Sequence, residues 1–248
     1  MIQTTQQSIK RNLLSDANPP KSFDSRTKWP ECISPIIDQG VCGGCCFGRA
    51  VSGVGVMQDR MCIASDSFIV KMPLSIQSMI GCADNGGCDG GYQETFWQYT
   101  QKEGIYVDSC SSYRAGESGD AGSCPSKCDD GSPVAKADRY WSDTYRMCSD
   151  QDNFKDIKNE IANNGPVHGY MDVYEDFYYY KTGVYRHRTG SLIGGHAIRI
   201  VGYGVDKQAV KTNVANSWGP YWGEKGFARI KEGECSVGQF VYAGTVYM

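Results

Sequence analysis

The sequence predicts an α+β protein in which a helical, cysteine-rich half precedes a half built mainly from β-strands. Eleven of the twelve cysteines lie before Ser149, and only Cys235 follows. The second half carries an amphipathic helix pattern and several strand-like segments bounded by glycine. The shift in composition suggests two domains with a seam near residues 135–150.

The first predicted helix spans residues 47–60. Gly48, Gly53 and Gly55 lie within it, and each glycine lowers the intrinsic helix propensity by up to about 1 kcal/mol. Burial against the rest of the protein must therefore hold this helix together.

A second helix is predicted over residues 152–163, where Asp152 is the expected N-cap. Phe154, Ile157 and Ile161 form its apolar stripe, and an Asn-Gly-Pro sequence ends it. Strands are predicted at residues 196–202, 211–216 and 226–231. We expect His168 and His187 to lie at the surface or at strand edges.

Composition excludes several classes of function. The 248 residues carry 25 Lys and Arg against 28 Asp and Glu, a net charge of −3, so there is no basic surface for nucleic acid. No apolar run is long enough for a transmembrane helix. The cysteine content indicates an oxidising compartment. Residues 1–18 lack the apolar stretch of a signal peptide, so we expect a pro-segment remnant or an N-terminal extension.

The densest chemical feature is the segment 39–47, which contains Cys42, Cys45 and Cys46. It is compatible with a C-x-x-C redox pair, a zinc site or a nucleophilic thiol. A redox motif follows a strand, whereas Asp38-Gln39-Gly40 precedes this one. A zinc site needs a second cysteine pair or nearby histidines, and the three histidines of the chain are remote from any cysteine pair. We therefore expect no metal and no cofactor.

A nucleophilic thiol needs a base, a residue that orients the base and donors for the oxyanion. His196 lies in a Gly-Gly-His-Ala sequence 151 residues after Cys45. Asn216, in an Asn-Ser-Trp sequence, follows 20 residues later. A helix N-terminus and an imidazolium would both lower the pKa of the thiol.

These motifs resemble the papain family of cysteine proteases, in its cathepsin B branch. Gln39-x-x-Cys42-Gly-x-Cys45 resembles the nucleophile motif, and Cys88-Asp-Gly-Gly-Tyr92 resembles the glycine pair beside the cleft. The resemblance covers residues 19–244. It implies that residues 19–248 form a papain-like two-domain fold with the cleft between the domains. The helical left domain would span about 31–143, and the barrel-like sheet domain about 144–240 plus the arm 19–30.

The resemblance also implies the roles of the site residues. Cys45 would be the nucleophile, His196 the general base and acid, Asn216 the residue that orients the imidazole, and Gln39 an oxyanion donor. The implied activity is that of an endopeptidase acting through an acyl-thioester. The implied substrate-binding residues are Gly90, Gly91, Gly195, Ala197, Trp218 and Phe240.

Four disulfides follow from the resemblance and not from spacing alone. They leave Cys45, Cys46, Cys148 and Cys235 unpaired. The implied pairs are Cys32–Cys62, Cys42–Cys88, Cys82–Cys124 and Cys110–Cys128.

Two residues beside the nucleophile depart from the family pattern. Gly44 stands where serine is usual, and Cys46 stands where tryptophan is usual. We expect them to affect catalytic efficiency more than the class of reaction. They motivate one alternative, a catalytically impaired homologue that acts as a binding protein, beside the thiol oxidoreductase already described.

Two further departures concern specificity. Residues 110–124 correspond to the occluding loop of the branch but contain no histidine, which predicts an open cleft and endopeptidase activity. The alternative is that Arg114 replaces the histidine clamp. Phe240 stands where the branch has an acidic residue in the pocket for the side chain two before the scissile bond. This predicts a preference for Leu, Val or Phe over Arg, unless Phe240 belongs to the core.

The expected partners are peptide and protein substrates, with the chain's own pro-segment and cystatin-like inhibitors as further partners. Nucleic acid and membranes are not expected, and the chain should be a monomer. The expected location is a lysosome-like or endocytic vacuole, or the outside of the cell.

Overall fold

The computed structural model describes residues 18–42, 48–65, 73–83, 87–134, 139–149, 153–207 and 209–246. Helices dominate the first half. Its elements are β1 (Phe23–Asp24), α1 (Ser25–Lys28), α2 (Gly48–Ala64), α3 (Ile76–Cys82), a 3₁₀ helix (Gly87–Asp89), α4 (Gln93–Lys102), β2 (Ile105–Tyr106) and α5 (Ala115–Ser118).

The second half is mainly a sheet. Its elements are β3 (Arg139–Tyr140), β4 (Ser142–Ser149), α6 (Phe154–Asn164), β5 (Val167–Tyr174), a 3₁₀ helix (Glu175–Tyr179), β6 (Val184–Tyr185), β7 (Leu192–Asp206), β8 (Ala209–Ala215), β9 (Phe227–Lys231), a 3₁₀ helix (Glu234–Ser236) and β10 (Val241–Val246). In the described part of the chain, eight strands form one sheet. Seven run in the order β4-β10-β5-β7-β8-β9-β6, and β1 pairs with β7.

The glycine-containing helix α2 is held by burial, as predicted. Val54, Val56 and Met57 are at most 1% exposed, so the helix runs through the interior and not along the surface. Gly55 faces Arg199 of β7, and a β-carbon at position 55 would lie 3.0 Å from the Arg199 guanidinium. The low helix propensity at this position therefore accompanies a close contact between the helical half and the sheet.

The N-cap of α6 differs from the prediction. Asn153 is the cap, since its side-chain oxygen accepts a hydrogen bond from the backbone N–H of Asp156. Asp152 lies outside the described residues. Ile157 and Ile161 of the predicted stripe are buried, and Phe154 packs against the same core.

The three predicted strands are confirmed within β7, β8 and β9. β7 is longer than predicted, because its glycines at 194, 195, 202 and 204 do not interrupt it. It pairs with β5 on one side and with β8 on the other, so it lies near the centre of the sheet. His196 is thereby placed on a strand that is fixed from both sides.

Two adjacent residues of α2 form buried ion pairs with the second half. The Asp59 carboxylate accepts hydrogen bonds from Arg199 at 2.9 Å and from the Ser34 hydroxyl at 2.5 Å. Arg60 pairs with Glu160 of α6 at 2.5 Å and donates to the carbonyl of Gly244 at 2.8 Å. The long helix is therefore tied to two different parts of the sheet half.

The expectation that His168 lies at the surface or a strand edge is wrong. His168 is 0% exposed, in β5, with its ring against the rings of Phe96 and Trp97. Neither ring nitrogen has a hydrogen-bond partner among the described residues. Burial, together with the charge of Arg49, lowers the pKa of His168 to about 3, so the imidazole is neutral in the folded protein.

This histidine predicts acid-sensitive stability. The pKa is 6.5 in an unperturbed histidine and about 3 in the fold, so the unfolded chain binds the proton first as the pH falls. The contribution of the neutral His168 to the free energy of unfolding is fully present above pH 6.5. Below that it falls by up to about 1.4 kcal/mol per pH unit, which amounts to roughly 3 kcal/mol by pH 4.5. We expect His168→Leu to remove that part of the loss, as measured by urea unfolding at pH 7 and pH 4.5. Equal pH dependence in the two proteins would contradict the prediction.

Within the described residues, four disulfides are formed, and they are the four pairs expected from the resemblance. Cys148 and Cys235 are free and buried. Burial raises the pKa of each of these thiols to about 12. None of the helices in the described ranges is both long and apolar enough to cross a bilayer.

Candidate active site

The centre of the site is a buried pair, His196 and Asn216. His196 Nε2 lies 2.8 Å from Asn216 Oδ1. Because an amide oxygen only accepts hydrogen bonds, Nε2 carries the proton in this contact. In the neutral imidazole, Nδ1 is then the basic nitrogen.

Both residues of the pair are shielded from water, with exposed fractions of 2% for His196 and 4% for Asn216. Burial lowers the pKa of His196 to about 4, and the hydrogen bond to Asn216 opposes that effect. A neutral, correctly oriented imidazole can accept a proton from a nearby thiol.

Aromatic rings cover the pair on one side. The Trp218 ring centre lies 5.4 Å from that of His196, and Tyr178 stacks on Trp218 at 4.8 Å. Trp222 packs edge-on against Trp218 and donates its indole N–H to the carbonyl of Tyr178. A hydrogen bond enclosed in this way is stronger than one exposed to water.

Gln39 lies on the neighbouring loop and is 5% exposed. Its backbone N–H donates to the carbonyl of Ser217 at 2.8 Å, and the Ser217 hydroxyl donates to the Gln39 side-chain oxygen. The side-chain NH₂ of Gln39 is therefore the end of the amide that remains to donate elsewhere. The contacts bring the Gln39 loop directly beside Asn216.

Two residues that hold Gln39 were not singled out from the sequence. Ser217 fixes the amide orientation, and its place inside the Asn-Ser-Trp motif is the available sequence signal. Tyr113 donates its hydroxyl to the backbone carbonyl of Gln39 at 2.7 Å. Tyr113 comes from a distant loop, and no local pattern marks it.

Cys45, Cys46 and Gly44 lie outside the described residues. The described chain reaches Cys42 and resumes at α2, so these residues connect the Gln39 loop to the start of that helix. Cys42, the first cysteine of the C-x-x-C pattern, forms a disulfide bond with Cys88. That bond argues against a Cys42–Cys45 redox pair.

The Cys42–Cys88 bond also joins the Gln39 loop to the predicted substrate glycines. Gly90 follows Cys88 closely and has φ = 110°, a conformation that favours glycine. Gly90 is buried and Gly91 is exposed. Both glycines directly follow the 3₁₀ helix that contains Cys88, so the disulfide ties them closely to the loop that carries Gln39.

The remaining predicted substrate residues lie in the sheet half. Gly195 and Ala197 flank His196 on β7. Phe240 is 47% exposed, so it is not a core residue, which was the alternative raised from the sequence. Its ring packs edge-on against Tyr170 with centres 5.9 Å apart.

The segment 110–124 packs against the Gln39 loop. The backbone N–H of Val41 donates to the carbonyl of Gly116 at 2.8 Å. Arg114, considered above as a substitute for the histidine clamp, forms an ion pair with Asp129 at 2.7 Å. Its guanidinium is therefore already engaged by a carboxylate of the same loop region.

Comparison with known proteins agrees with this arrangement. The model of the papain family cysteine proteases matches residues 19–245. Cathepsin B-like CP3 of Giardia intestinalis is 38% identical over 245 residues, which cover 95% of this chain and 78% of the relative. A cathepsin B-like cysteine proteinase of Schistosoma japonicum is 38% identical over 257 residues, covering 92% and 73%. Among solved structures, procathepsin B S9 of Trypanosoma congolense has a TM-score of 0.80 at 30% identity, covering 93% of this chain and 78% of that one.

Proposed function

The chain belongs to the papain family of cysteine proteases, and we propose that it is an endopeptidase whose nucleophile is Cys45. The observation that carries the proposal is the buried His196–Asn216 pair, with Gln39 held beside it through Ser217. Cys45 joins the Gln39 loop to the N-terminus of α2 in sequence. The partial positive charge of a helix N-terminus stabilises a thiolate.

In the first half of the reaction, the Cys45 sulfur attacks the scissile carbonyl carbon and its proton passes to His196 Nδ1. The carbonyl π electrons move to the oxygen, which accepts hydrogen bonds from the Gln39 side-chain NH₂ and a backbone N–H. The C–N bond then breaks as the imidazolium donates its proton to the leaving amine. The products of this half are an acyl-thioester and the first peptide fragment.

In the second half, His196 removes a proton from a water molecule that attacks the thioester. The C–S bond then breaks and the Cys45 sulfur takes back a proton from the His196 imidazolium. The second fragment leaves as a carboxylic acid, which loses its remaining proton to solvent. In both half-reactions Asn216 acts by orienting the His196 ring, because its hydrogen bond to Nε2 leaves Nδ1 as the nitrogen that exchanges protons with the reactants.

Covalent labelling tests this assignment. We expect a papain-family epoxide inhibitor to alkylate Cys45, with loss of peptide cleavage in proportion to labelling. Cys45→Ser should abolish both, whereas the matched variant Cys46→Ser should keep both. Labelling of Cys46 alone would overturn the assignment. Absence of labelling and of cleavage would favour a binding protein.

Endopeptidase action is proposed because the segment 110–124 has no histidine and Arg114 is paired with Asp129. We expect a long peptide to be cut internally, with the same rate whether its C-terminus is a free carboxylate or an amide. Mass spectrometry of early products would check this. Sequential release of C-terminal dipeptides, abolished by amidation, would contradict it.

The substrate proposal includes an apolar residue two before the scissile bond. It is supported by the exposed Phe240, which packs against Tyr170, the residue paired with Ala197 on β7. We further propose the two-domain division given above. Two clusters of buried residues support it, one drawn from residues 42–115 with Tyr242 of β10 added, and one drawn from residues 148–243. The proposed location, a lysosome-like vacuole or the exterior, is supported by the four disulfides. The pro-segment and cystatin-like inhibitors are proposed partners of the cleft, and the chain is proposed to act as a monomer.

A further inference from the structure

We propose that Tyr170 determines specificity in this cleft, by closing the pocket that receives the side chain two before the scissile bond. The inference rests on the proposed protease function. It goes further, because it excludes large side chains that an apolar Phe240 alone would accept. The pocket would take valine or leucine and reject phenylalanine and arginine.

The sheet register places Tyr170 beside the catalytic histidine. Tyr170 of β5 lies directly opposite Ala197 of β7, one residue from His196. Its ring lies on the backbone of Gly195, where a β-carbon would be 2.4 Å from Tyr170 Cε2. A side chain at position 195 would clash with the tyrosine, so Gly195 is required here, and the ring lies against the residue that precedes His196 on β7.

Phe240 packs against the same ring. The two rings are edge-to-face with centres 5.9 Å apart. Phe240 has φ = 50°, a left-handed conformation that is an outlier for a bulky residue, and its side chain remains 47% exposed. Its carbonyl accepts a hydrogen bond from the Gln93 side chain at 3.5 Å. The two aromatic rings therefore form one continuous wall.

Polar contacts prevent the wall from moving aside. The Tyr170 hydroxyl donates to Asp172 Oδ1 at 2.8 Å, and the Ser236 hydroxyl donates to Asp172 Oδ2 at 2.5 Å. Turning the Tyr170 ring away would break the first bond and leave the carboxylate with one fewer donor. Both of these partners are uncharged hydroxyls.

Substitution of Tyr170 should have two effects, one on the size of the pocket and one on the exposure of the Asp172 carboxylate. Removing the Tyr170 ring should open the pocket to phenylalanine. It should also uncover the Asp172 carboxylate, which would pair with a substrate arginine. Tyr170→Phe retains the ring and loses only the hydroxyl, so it is the matched control for size.

The experiment compares kcat/KM for fluorogenic peptides that differ only at the second residue before the cleaved bond, with Val, Leu, Phe or Arg. In the unmodified protein, we expect Val and Leu to exceed Phe and Arg by about tenfold or more. Tyr170→Ala should raise the values for Phe and Arg about tenfold and change Val by less than about threefold. Tyr170→Ala with Asp172→Asn should keep the gain for Phe and lose the gain for Arg. Tyr170→Phe should keep rejecting the Phe substrate.

Equal cleavage of the Val and Phe substrates by the unmodified protein overturns the inference without any variant. So does an unchanged Phe-to-Val ratio in Tyr170→Ala, or a Tyr170→Phe variant that behaves like Tyr170→Ala. Active-site labelling of each variant measures the folded fraction, and Tyr170→Leu replaces the alanine variant if that protein does not fold. If the unmodified protein cleaves none of the four peptides and Cys45 is not labelled, the proposed function itself is overturned.

Discussion

Replacing His196 by alanine should lower kcat/KM for peptide cleavage by about 10⁴-fold or more, the largest effect expected outside Cys45 itself. The imidazole serves both half-reactions, since it accepts the thiol proton and then donates it to the leaving amine. It is 2% exposed, so bulk water has little access to replace it. The fall should appear in kcat with KM changed much less, because His196 acts mainly on the transition state.

The measurement is steady-state hydrolysis of a fluorogenic peptide, normalised to folded protein by circular dichroism. His187→Ala is the matched control, because that half-buried histidine pairs with Asp176 and is not part of the proposed site. It should retain activity. Activity of the His196 variant within tenfold of the unmodified protein would exclude His196 as the general base.

The second large effect concerns stability. Arg199→Met should destabilise the fold by about 3–5 kcal/mol, because it leaves the Asp59 carboxylate buried without its cation. The side chain of Asp59 is 0% exposed and that of Arg199 is 5% exposed. Burial raises the pKa of Asp59 to about 6 even with Arg199 in contact, so desolvation outweighs the attraction of the pair. Removing the charges of both Asp59 and Arg199 should therefore lower the free energy of unfolding by less than removing Arg199 alone.

Urea unfolding of Arg199→Met and of the double variant Asp59→Leu with Arg199→Met would test this. We expect the double variant to recover much of the lost free energy of unfolding. Arg114→Met breaks the exposed pair with Asp129 and should cost under about 1 kcal/mol. If the single and double variants at the buried pair were equally unstable, packing and not charge would explain the contact.

The order of neighbouring residues was sufficient to predict those helices and strands whose pattern lies within one short segment. The apolar stripe of α6 and the glycine-bounded strands were recognised because helix and strand periodicity is written in neighbouring residues. The cap of α6 was misplaced by one residue, since Asp and Asn both cap helices and only geometry separates Asp152 from Asn153.

His168 shows what local pattern cannot give. Histidine is usually exposed, and nothing near position 168 indicates that Phe96 and Trp97 from a distant helix enclose its ring. Gln39, His196 and Asn216 could be singled out as candidates because each lies in a recognisable motif. Tyr170 was not singled out, because its place opposite Ala197 follows from the pairing of β5 with β7, which the sequence does not specify.

The buried thiols have a practical consequence for anyone handling the protein. Eight cysteines are held in disulfides, and Cys148 and Cys235 are buried with pKa values of about 12, so they ionise too rarely at neutral pH to react. The remaining two, Cys45 and Cys46, both precede α2. A thiol reagent applied to the native protein should thus report on these two thiols, and in Cys46→Ser it should count the molecules that carry a reactive Cys45, before any substrate has been found.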